Sequence, residues 1–223
     1  MEIGQRGFYS RREAGQRLAQ ALLTYQHCRD VWVLALPRGG VPVAYEVAIA
    51  LGAPLEVWVV RKLGVPGQAE LAMGAIAAGG VCLLNRPLIE KLGIDDTALR
   101  QVIAAEQQEL IRRQHCYRGD RPLNLHNQTV ILVDDGIATG FTCRAAIAAL
   151  RQQQPARLIL ATPVAAPSAL ESLAPWVDQT VSLLQPARLG AISLWYTQFG
   201  QTTDEEVRRL LEAVISHRSR TDN

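Results

Sequence analysis

Short apolar runs alternate with stretches of helical periodicity along most of the sequence, and this alternation restricts the fold more than any other feature. The runs are rich in Val, Ile and Leu, as expected for strands that helices cover on both faces of a sheet. Strands joined by helices form right-handed crossovers, so the chain is predicted to build an α/β fold with a parallel sheet. The predicted strands are residues 31–36, 55–61, 130–133, 157–162 and 180–184.

Helix-start signals precede several of the amphipathic stretches between these runs. Residues 10–13 and 203–206 have the spacing of a capping box, and Asp95 or Asp96 can cap a long helix. The helices expected from periodicity alone are residues 41–51 and about 140–153.

The composition bears on the compartment and on the partners. A chain of 223 residues suits one domain, and a net charge of +2 gives no general argument for a nucleic-acid partner. The four cysteines lack Cys-x-x-Cys spacing and are interpreted as free thiols, which fits a reducing compartment. Residues 1–10 have no apolar signal core, and no apolar stretch is long enough to cross a bilayer. We therefore expect a cytoplasmic protein without a membrane partner.

The junction after the strand at residues 130–133 carries the strongest functional signal. Asp134 and Asp135 stand at the strand tip, where parallel sheets bind their ligands. Residues 136–142 then lead into a helix, whose first N–H groups and dipole favour a phosphate. Two carboxylates that can accept hydrogen bonds from sugar hydroxyls, beside a phosphate cradle, indicate a ribose 5-phosphate site.

Small and hydroxyl-bearing residues within this loop support that interpretation. Gly136 and Gly140 let the backbone approach a ligand closely, while Thr139 and Thr142 can add hydroxyl donors. An acidic turn would be the simpler interpretation if only the Asp-Gly pair were present. The spacings of the dinucleotide fingerprint and of the P-loop do not occur, so the motif differs from both.

The stretch of residues 130–142 closely resembles the signature of type I phosphoribosyltransferases, which bind 5-phosphoribosyl-1-pyrophosphate (PRPP). The resemblance implies a parallel five-stranded sheet flanked by helices, with a small hood over the acceptor. It also implies that Asp134 and Asp135 contact the ribose hydroxyls, directly or through a metal. The residues that it assigns to the 5-phosphate are Gly136, Ile137, Ala138, Thr139, Gly140 and Thr142.

A second glycine loop follows the first strand and is similar to the pyrophosphate loop of that family. Arg38 supplies a cation there, and Gly39 and Gly40 supply exposed backbone N–H groups; alone, these residues would be a tight turn with a surface arginine. Lys62 ends the second predicted strand where relatives place a further basic residue, and the alternative is an exposed strand end. The resemblance makes Arg38, Lys62, Asp134 and Asp135 the candidate catalytic residues.

Two further segments are interpreted through the same resemblance. Residues 62–80 have no clear period, and they fall where relatives carry a mobile loop that closes over the ligand; residues 81–85 are a predicted short strand. Residues 185–202 fall where the hood should lie. Their aromatic side chains either stack on a planar acceptor or pack the hood itself, and they are Trp195, Tyr196 and Phe199.

We therefore predict a single domain over residues 1–223, with a core at 10–184, a hood at 185–202 and a C-terminal helix at 203–217. The implied reaction displaces pyrophosphate from PRPP with a small nitrogen acceptor of unknown identity. Mg²⁺ would arrive with PRPP, near Asp134 and Asp135, without a dedicated protein site.

One position departs from the family pattern and leaves the acceptor open. Oxopurine enzymes of the family carry an acidic residue where this chain has Ala138, so the resemblance does not support purine salvage. The alternative function is a PRPP-binding regulator or scaffold without transferase activity. A homodimer is compatible with either function.

Overall fold

The computed structural model of the chain describes residues 7–119 and 123–221, without the side chains of residues 69, 70 and 219–221. Residues 1–6, which form most of the segment predicted to lack a signal core, lie outside the described residues. The strands of the described part are β1 (Val31–Ala35), β2 (Leu55–Val57), β3 (Val60–Val65), β4 (Gln68–Ala77), β5 (Val81–Leu84), β6 (Thr129–Val133), β7 (Arg157–Val164) and β8 (Gln179–Leu184).

Helices connect these strands and start where the capping signals predict. Ser10 accepts a hydrogen bond from the N–H of Glu13, and Asp95 accepts two, from Thr97 and Ala98. The helices of the described part are α1 (Arg11–Gln20), α2 (Gly40–Leu51), α3 (Arg86–Lys91), α4 (Asp96–Arg118), α5 (Phe141–Gln152), α6 (Pro167–Leu173) and α7 (Asp204–Thr221). The last one is longer than predicted, and α3 was not predicted.

The central sheet has five parallel strands in the order β2-β1-β6-β7-β8, which confirms the predicted α/β architecture. Val33, Ile131 and Ile159 stand side by side across β1, β6 and β7 and are fully buried. Burial of each such side chain contributes about 1.5–3 kcal/mol. This row belongs to a core cluster with side chains of α1, α2 and α7, while side chains of α5 and α6 belong to the cluster on the other face. No helix in the described ranges is long and apolar enough to cross a membrane.

The predicted strand at residues 55–61 is divided in two, and this corrects the sequence interpretation. The N–H of Trp58 still bonds the carbonyl of Ala35 at 2.9 Å, but from Val60 the chain pairs with β4 instead. Strands β3, β4 and β5 form a separate antiparallel sheet, in which Leu63 and Met73 are buried. Residues 62–80, which showed no clear period in sequence, therefore include the greater part of two strands, and their closure over a ligand stays a prediction.

The segment 185–202 contains one short 3₁₀ turn, Ile192–Trp195, and packs against the start of the chain. Phe8 pairs with Tyr196 as an isolated β-bridge, and their ring centroids are 5.6 Å apart. The N–H of Phe8 bonds the carbonyl of Trp195 at 2.7 Å. These contacts hold the segment next to α1.

Candidate functional site

The register of the central sheet brings the two glycine loops together. β1 and β6 are neighbours, and Ala35 is paired with Val133, so both strands end at the same edge. The N–H of Leu36 bonds the carbonyl of Val133 at 2.9 Å. The loops that follow these strands, residues 37–40 and 134–140, therefore start side by side.

The two loops are in close contact, and that contact requires glycine. A Cβ atom on Gly39 would lie 2.1 Å from Oδ2 of Asp135, and one on Gly40 would lie 2.8 Å from the carbonyl oxygen of Val133. A side chain at Gly40 would meet the backbone of the carboxylate loop, and one at Gly39 would displace the carboxylate of Asp135. The peptide bond between Pro37 and Arg38 is cis.

Asp134 faces inward at the tip of β6. Its Oδ1 accepts a hydrogen bond from the N–H of Asp135 at 2.9 Å, and its Oδ2 lies 3.9 Å from Sγ of Cys143. Burial raises the pKa of Asp134 well above its ordinary value, and the negative charge of Asp135 raises it further. The same burial and the nearby Asp134 raise the pKa of the Cys143 thiol, so that thiol remains protonated.

Asp135 forms an ion pair that the sequence interpretation missed. Its Oδ2 accepts a 2.7 Å hydrogen bond from Nε of Arg11, the first residue of α1. The Ser10–Glu13 capping signal predicted a helix start there, but nothing in the local pattern showed that the next side chain reaches β6. The pair places a positive charge against one of the two candidate ribose carboxylates.

The hood aromatics mostly pack against one another. Tyr196 is buried, and its hydroxyl donates a 2.5 Å hydrogen bond to the backbone carbonyl of Asp135. Phe199 is half-buried beneath the guanidinium of Arg11, which lies 3.8 Å from the ring centroid. Trp195 is also half-buried and donates its indole N–H to the carbonyl of Leu189. Tyr196 therefore packs within the hood, as in the second of the two interpretations, and its hydroxyl binds the backbone of the carboxylate loop.

The phosphate-type loop divides into a buried part and an exposed part. Ile137 is in the core, and its N–H donates to the carbonyl of Val164 at 2.9 Å, so this N–H does not face the loop's open side. Ala138, Thr139 and Thr142 are exposed. The N–H groups available to an anion are those that follow Ile137.

Two glycines give this loop its shape. Gly140 caps α5 at φ +72° without a side-chain hydrogen bond, so the first N–H groups of that helix have no side-chain acceptor. Gly136 lies against the hood: a Cβ there would be 2.5 Å from Cγ2 of Ile192. The loop is therefore closed on the hood side and open at the start of α5, where an anion would be stabilised.

The structure places the two predicted cations differently. Arg38 stays beside the carboxylate loop, with its side chain 30% exposed and Nη1 3.8 Å from Oδ1 of Asp204. Lys62 lies on β3 and lines a cavity of about 430 Å³ together with α4 residues such as Val102 and Glu106. That cavity is lined by β3, the turn after it and α4 rather than by the glycine loops, and the pyrophosphate role of Lys62 stays a prediction.

Comparison with known proteins identifies the family of sequences to which this arrangement corresponds. The sequence model described as "Phosphoribosyl transferase domain" matches residues 12–184. A protein of Mycobacterium tuberculosis H37Rv named "Putative phosphoribosyl transferase" is 42% identical over 206 residues, which are 92% of this chain and 46% of that protein. The chain thus spans about half the length of the curated relatives it matches.

Solved structures show the same fold. A Thermus thermophilus protein with a known crystal structure is 39% identical in sequence to this chain. The match has a TM-score of 0.76 and covers 92% of this chain and 97% of that protein's chain. An Aquifex aeolicus protein of known structure is 11% identical in sequence. That match has a TM-score of 0.50 and covers 78% of this chain and 73% of that protein's chain. The second likeness concerns the fold alone.

Proposed function

Because the chain belongs to the phosphoribosyl transferase family, we propose that it transfers the phosphoribosyl group of PRPP to a nitrogen acceptor. The bond between the anomeric carbon and the pyrophosphate oxygen breaks, and pyrophosphate leaves with the bonding electron pair. A carbon–nitrogen bond forms in its place, and the nitrogen releases a proton. The observation that carries the proposal is the contact between Gly39 and the carboxylate of Asp135, which joins two anion-type loops around one site.

The ribose 5-phosphate would lie along the loop after β6. The exposed Thr139 and Thr142 and the uncapped start of α5 suit the 5-phosphate, since a helix N-terminus favours a negative charge. Asp134 and Asp135 precede this cradle and can accept hydrogen bonds from the ribose hydroxyls. Arg11 and Tyr196 fix Asp135 from two sides, so its carboxylate is oriented before the ligand arrives.

The pyrophosphate would lie at the loop of residues 37–40. Arg38 offers guanidinium donors, and bonds from arginine to phosphate oxygens are charge-assisted. Negative charge grows on pyrophosphate as it leaves, so a cation at this place stabilises the transition state more than the bound substrate. Gly40 starts α2, whose dipole adds to the same effect.

The carboxylates also fit a Mg²⁺ ion that arrives with PRPP. Mg²⁺ prefers oxygen ligands, and Asp134 and Asp135 provide adjacent carboxylate groups at the sheet edge. In the described part of the chain, no cluster of three His, Cys, Asp or Glu side chains forms a protein metal site. Mg²⁺ would neutralise pyrophosphate oxygens when bound.

The acceptor side of the site restricts the chemistry. Ala138 is exposed next to the phosphate loop and cannot act as a base. Position 138 therefore supplies no general base to the acceptor nitrogen. This differs from an oxopurine mechanism with an acidic group at this position.

A direct assay would test the proposal. Pyrophosphate release should depend on PRPP, Mg²⁺ and one member of a panel of nitrogen heterocycles and amines. Arg38→Ala should reduce the rate, whereas Arg12→Ala should not, because Arg12 is 77% exposed and pairs with Glu46 on the helix surface. Binding of PRPP without release with any acceptor would favour the regulatory alternative. No binding of PRPP would contradict both.

A further inference from the structure

The start of the C-terminal helix reaches the proposed pyrophosphate loop from outside the region matched by the family model. Asp204 is the first residue of α7, and its Oδ1 lies 3.8 Å from Nη1 of Arg38. The same oxygen accepts a 2.5 Å hydrogen bond from the hydroxyl of Tyr117, near the end of α4. Three segments that are far apart in sequence therefore meet at one carboxylate.

The two contacts of Asp204 are unequal. A separation of 3.8 Å is near the outer limit for an ion pair, whereas 2.5 Å is at the short end of the range for a hydrogen bond from a hydroxyl to a carboxylate. Asp204 is thus held mainly by Tyr117. Arg38 keeps most of its donors free of this carboxylate, and its side chain is 30% exposed.

The surroundings of Tyr117 keep this arrangement in place. Tyr117 is 5% exposed, and burial raises the pKa of its phenol, with a further increase from the hydrogen bond to Asp204. The phenol therefore stays protonated and continues to donate. The neighbouring cations Arg112 and Arg113 both bond to Glu109 at 2.7 Å, so they are already engaged by another carboxylate.

We propose that Tyr117 is a positioning residue for Arg38 that acts through Asp204: the Tyr117 hydroxyl keeps Asp204 from closing on the Arg38 guanidinium. Arg38 then remains available to the pyrophosphate group of the ligand. Without the hydroxyl, Asp204 can form a close pair with Arg38, and an incoming pyrophosphate must first displace it. This inference rests on the proposed function, because it takes the loop of residues 37–40 as the pyrophosphate site.

A double-mutant cycle tests the inference with Mg–pyrophosphate as the probe and calorimetric titration as the measurement. Tyr117→Phe should weaken Mg–pyrophosphate binding about tenfold, as expected when one charged contact is lost to a competitor. Asp204→Asn should bind at least as tightly as the natural chain, because the competitor has lost its charge. The double variant should return to within about threefold of Asp204→Asn.

A matched control separates this effect from the general cost of losing a buried hydroxyl. Tyr25 is also buried, and its hydroxyl donates to Oε1 of Gln179 at 2.7 Å, so Tyr25→Phe removes a comparable bond elsewhere. Its affinity for Mg–pyrophosphate should not change. Ribose 5-phosphate, which lacks the pyrophosphate group, should bind equally well to all four variants, and near-ultraviolet circular dichroism should show native packing in each.

Two results would overturn this inference while leaving the pyrophosphate assignment of the loop intact. One is an unchanged affinity of Tyr117→Phe while Arg38→Ala binds Mg–pyrophosphate poorly. The other is a double variant as weak as Tyr117→Phe, since that outcome makes the tyrosine a structural residue. If instead Arg38→Ala keeps full affinity, the pyrophosphate assignment of the loop fails and the inference fails with it. The proposed transfer is judged separately, by PRPP-dependent release of pyrophosphate.

Discussion

Nε of Arg11 and Oδ2 of Asp135 lie 2.7 Å apart, and this pair joins the first helix to the tip of β6 across 124 positions in sequence. Both side chains are largely buried, at 12% and 14% exposure. Arg11 also donates to the carbonyl of Gly200 at 2.6 Å and lies over the ring of Phe199. One guanidinium therefore links the candidate ribose carboxylate to both the helix and the hood.

We predict that Arg11→Gln lowers both the free energy of unfolding and the affinity for PRPP. Removal of one partner leaves the Asp135 carboxylate without its counter-charge, which costs about 3–5 kcal/mol when a pair is fully buried. Because this pair keeps slight exposure, we expect about 2–3 kcal/mol from chemical denaturation. Arg12→Gln is the control, since the neighbouring side chain is 77% exposed, and it should change stability by less than about 1 kcal/mol. Equal effects at both positions would contradict the role of Arg11.

Asp135→Asn should separate ribose recognition from phosphate binding. The change keeps the shape but removes a charged acceptor, and charged hydrogen bonds contribute about 1.5–3 kcal/mol. PRPP should therefore bind roughly ten- to a hundredfold more weakly. Inorganic phosphate, which has no ribose, should bind as well as before or slightly better. Competition between the two ligands measures both affinities, and an equal loss for both would refute this division of roles.

Thr139→Val should have a different effect from Asp135→Asn. It removes an exposed hydroxyl from the proposed phosphate cradle and leaves the carboxylates in place. We expect PRPP and inorganic phosphate to bind more weakly by a similar factor, roughly ten- to a hundredfold for one hydrogen bond to a charged phosphate. Thr180→Val, in the half-buried strand β8, is the control and should not change either affinity. A loss confined to PRPP would place Thr139 outside the cradle.

The raised pKa of Asp134 predicts a particular pH dependence of stability. A carboxyl whose folded pKa exceeds its ordinary value of 3.8 contributes stability fully below that pH, and the contribution is lost as the pH rises through the folded pKa. Asp134→Asn removes the ionisation, so the variant should be more stable than the natural chain at pH 8. Denaturant unfolding should show the difference shrinking toward pH 4. The exposed Glu171→Gln, which removes a surface carboxylate, is the control.

Gly39→Ala should damage the site through contact alone. The new Cβ would lie 2.1 Å from Oδ2 of Asp135, so the carboxylate must leave its position beside Arg11. We expect a destabilisation of about 1–3 kcal/mol, as for other overpacked positions, together with loss of PRPP binding. Gly200→Ala is the matched control because nothing lies within 4 Å of its added Cβ. Unchanged PRPP affinity in Gly39→Ala would show that the loop contact is dispensable.

Much of the candidate site could be predicted because its residues are adjacent in sequence. The apolar run before Asp134 indicates a buried strand, and ligands bind at strand ends in parallel sheets, so the loop could be located without coordinates. The capping signals at Ser10 and Asp95 are equally local and are confirmed. Residues 55–61 misled the prediction because both halves favour strands, and only the pairing partner, β1 or β4, distinguishes them.

The sequence by itself determined the order of the central-sheet strands along the chain, the helix starts that carry capping signals and the two glycine loops, since each depends on residues within a few positions of one another. The tertiary structure decided which side chains complete the site. Arg11 binds the carboxylate of Asp135, and the hydroxyl of Tyr196 binds the backbone carbonyl of Asp135. Asp204 lies beside Arg38. The partners in each of these contacts are more than sixty positions apart in sequence. No local periodicity encodes such pairs, because hydrogen bonds and charges act through distance in space, and that distance is set only when the sheet and its helices have packed.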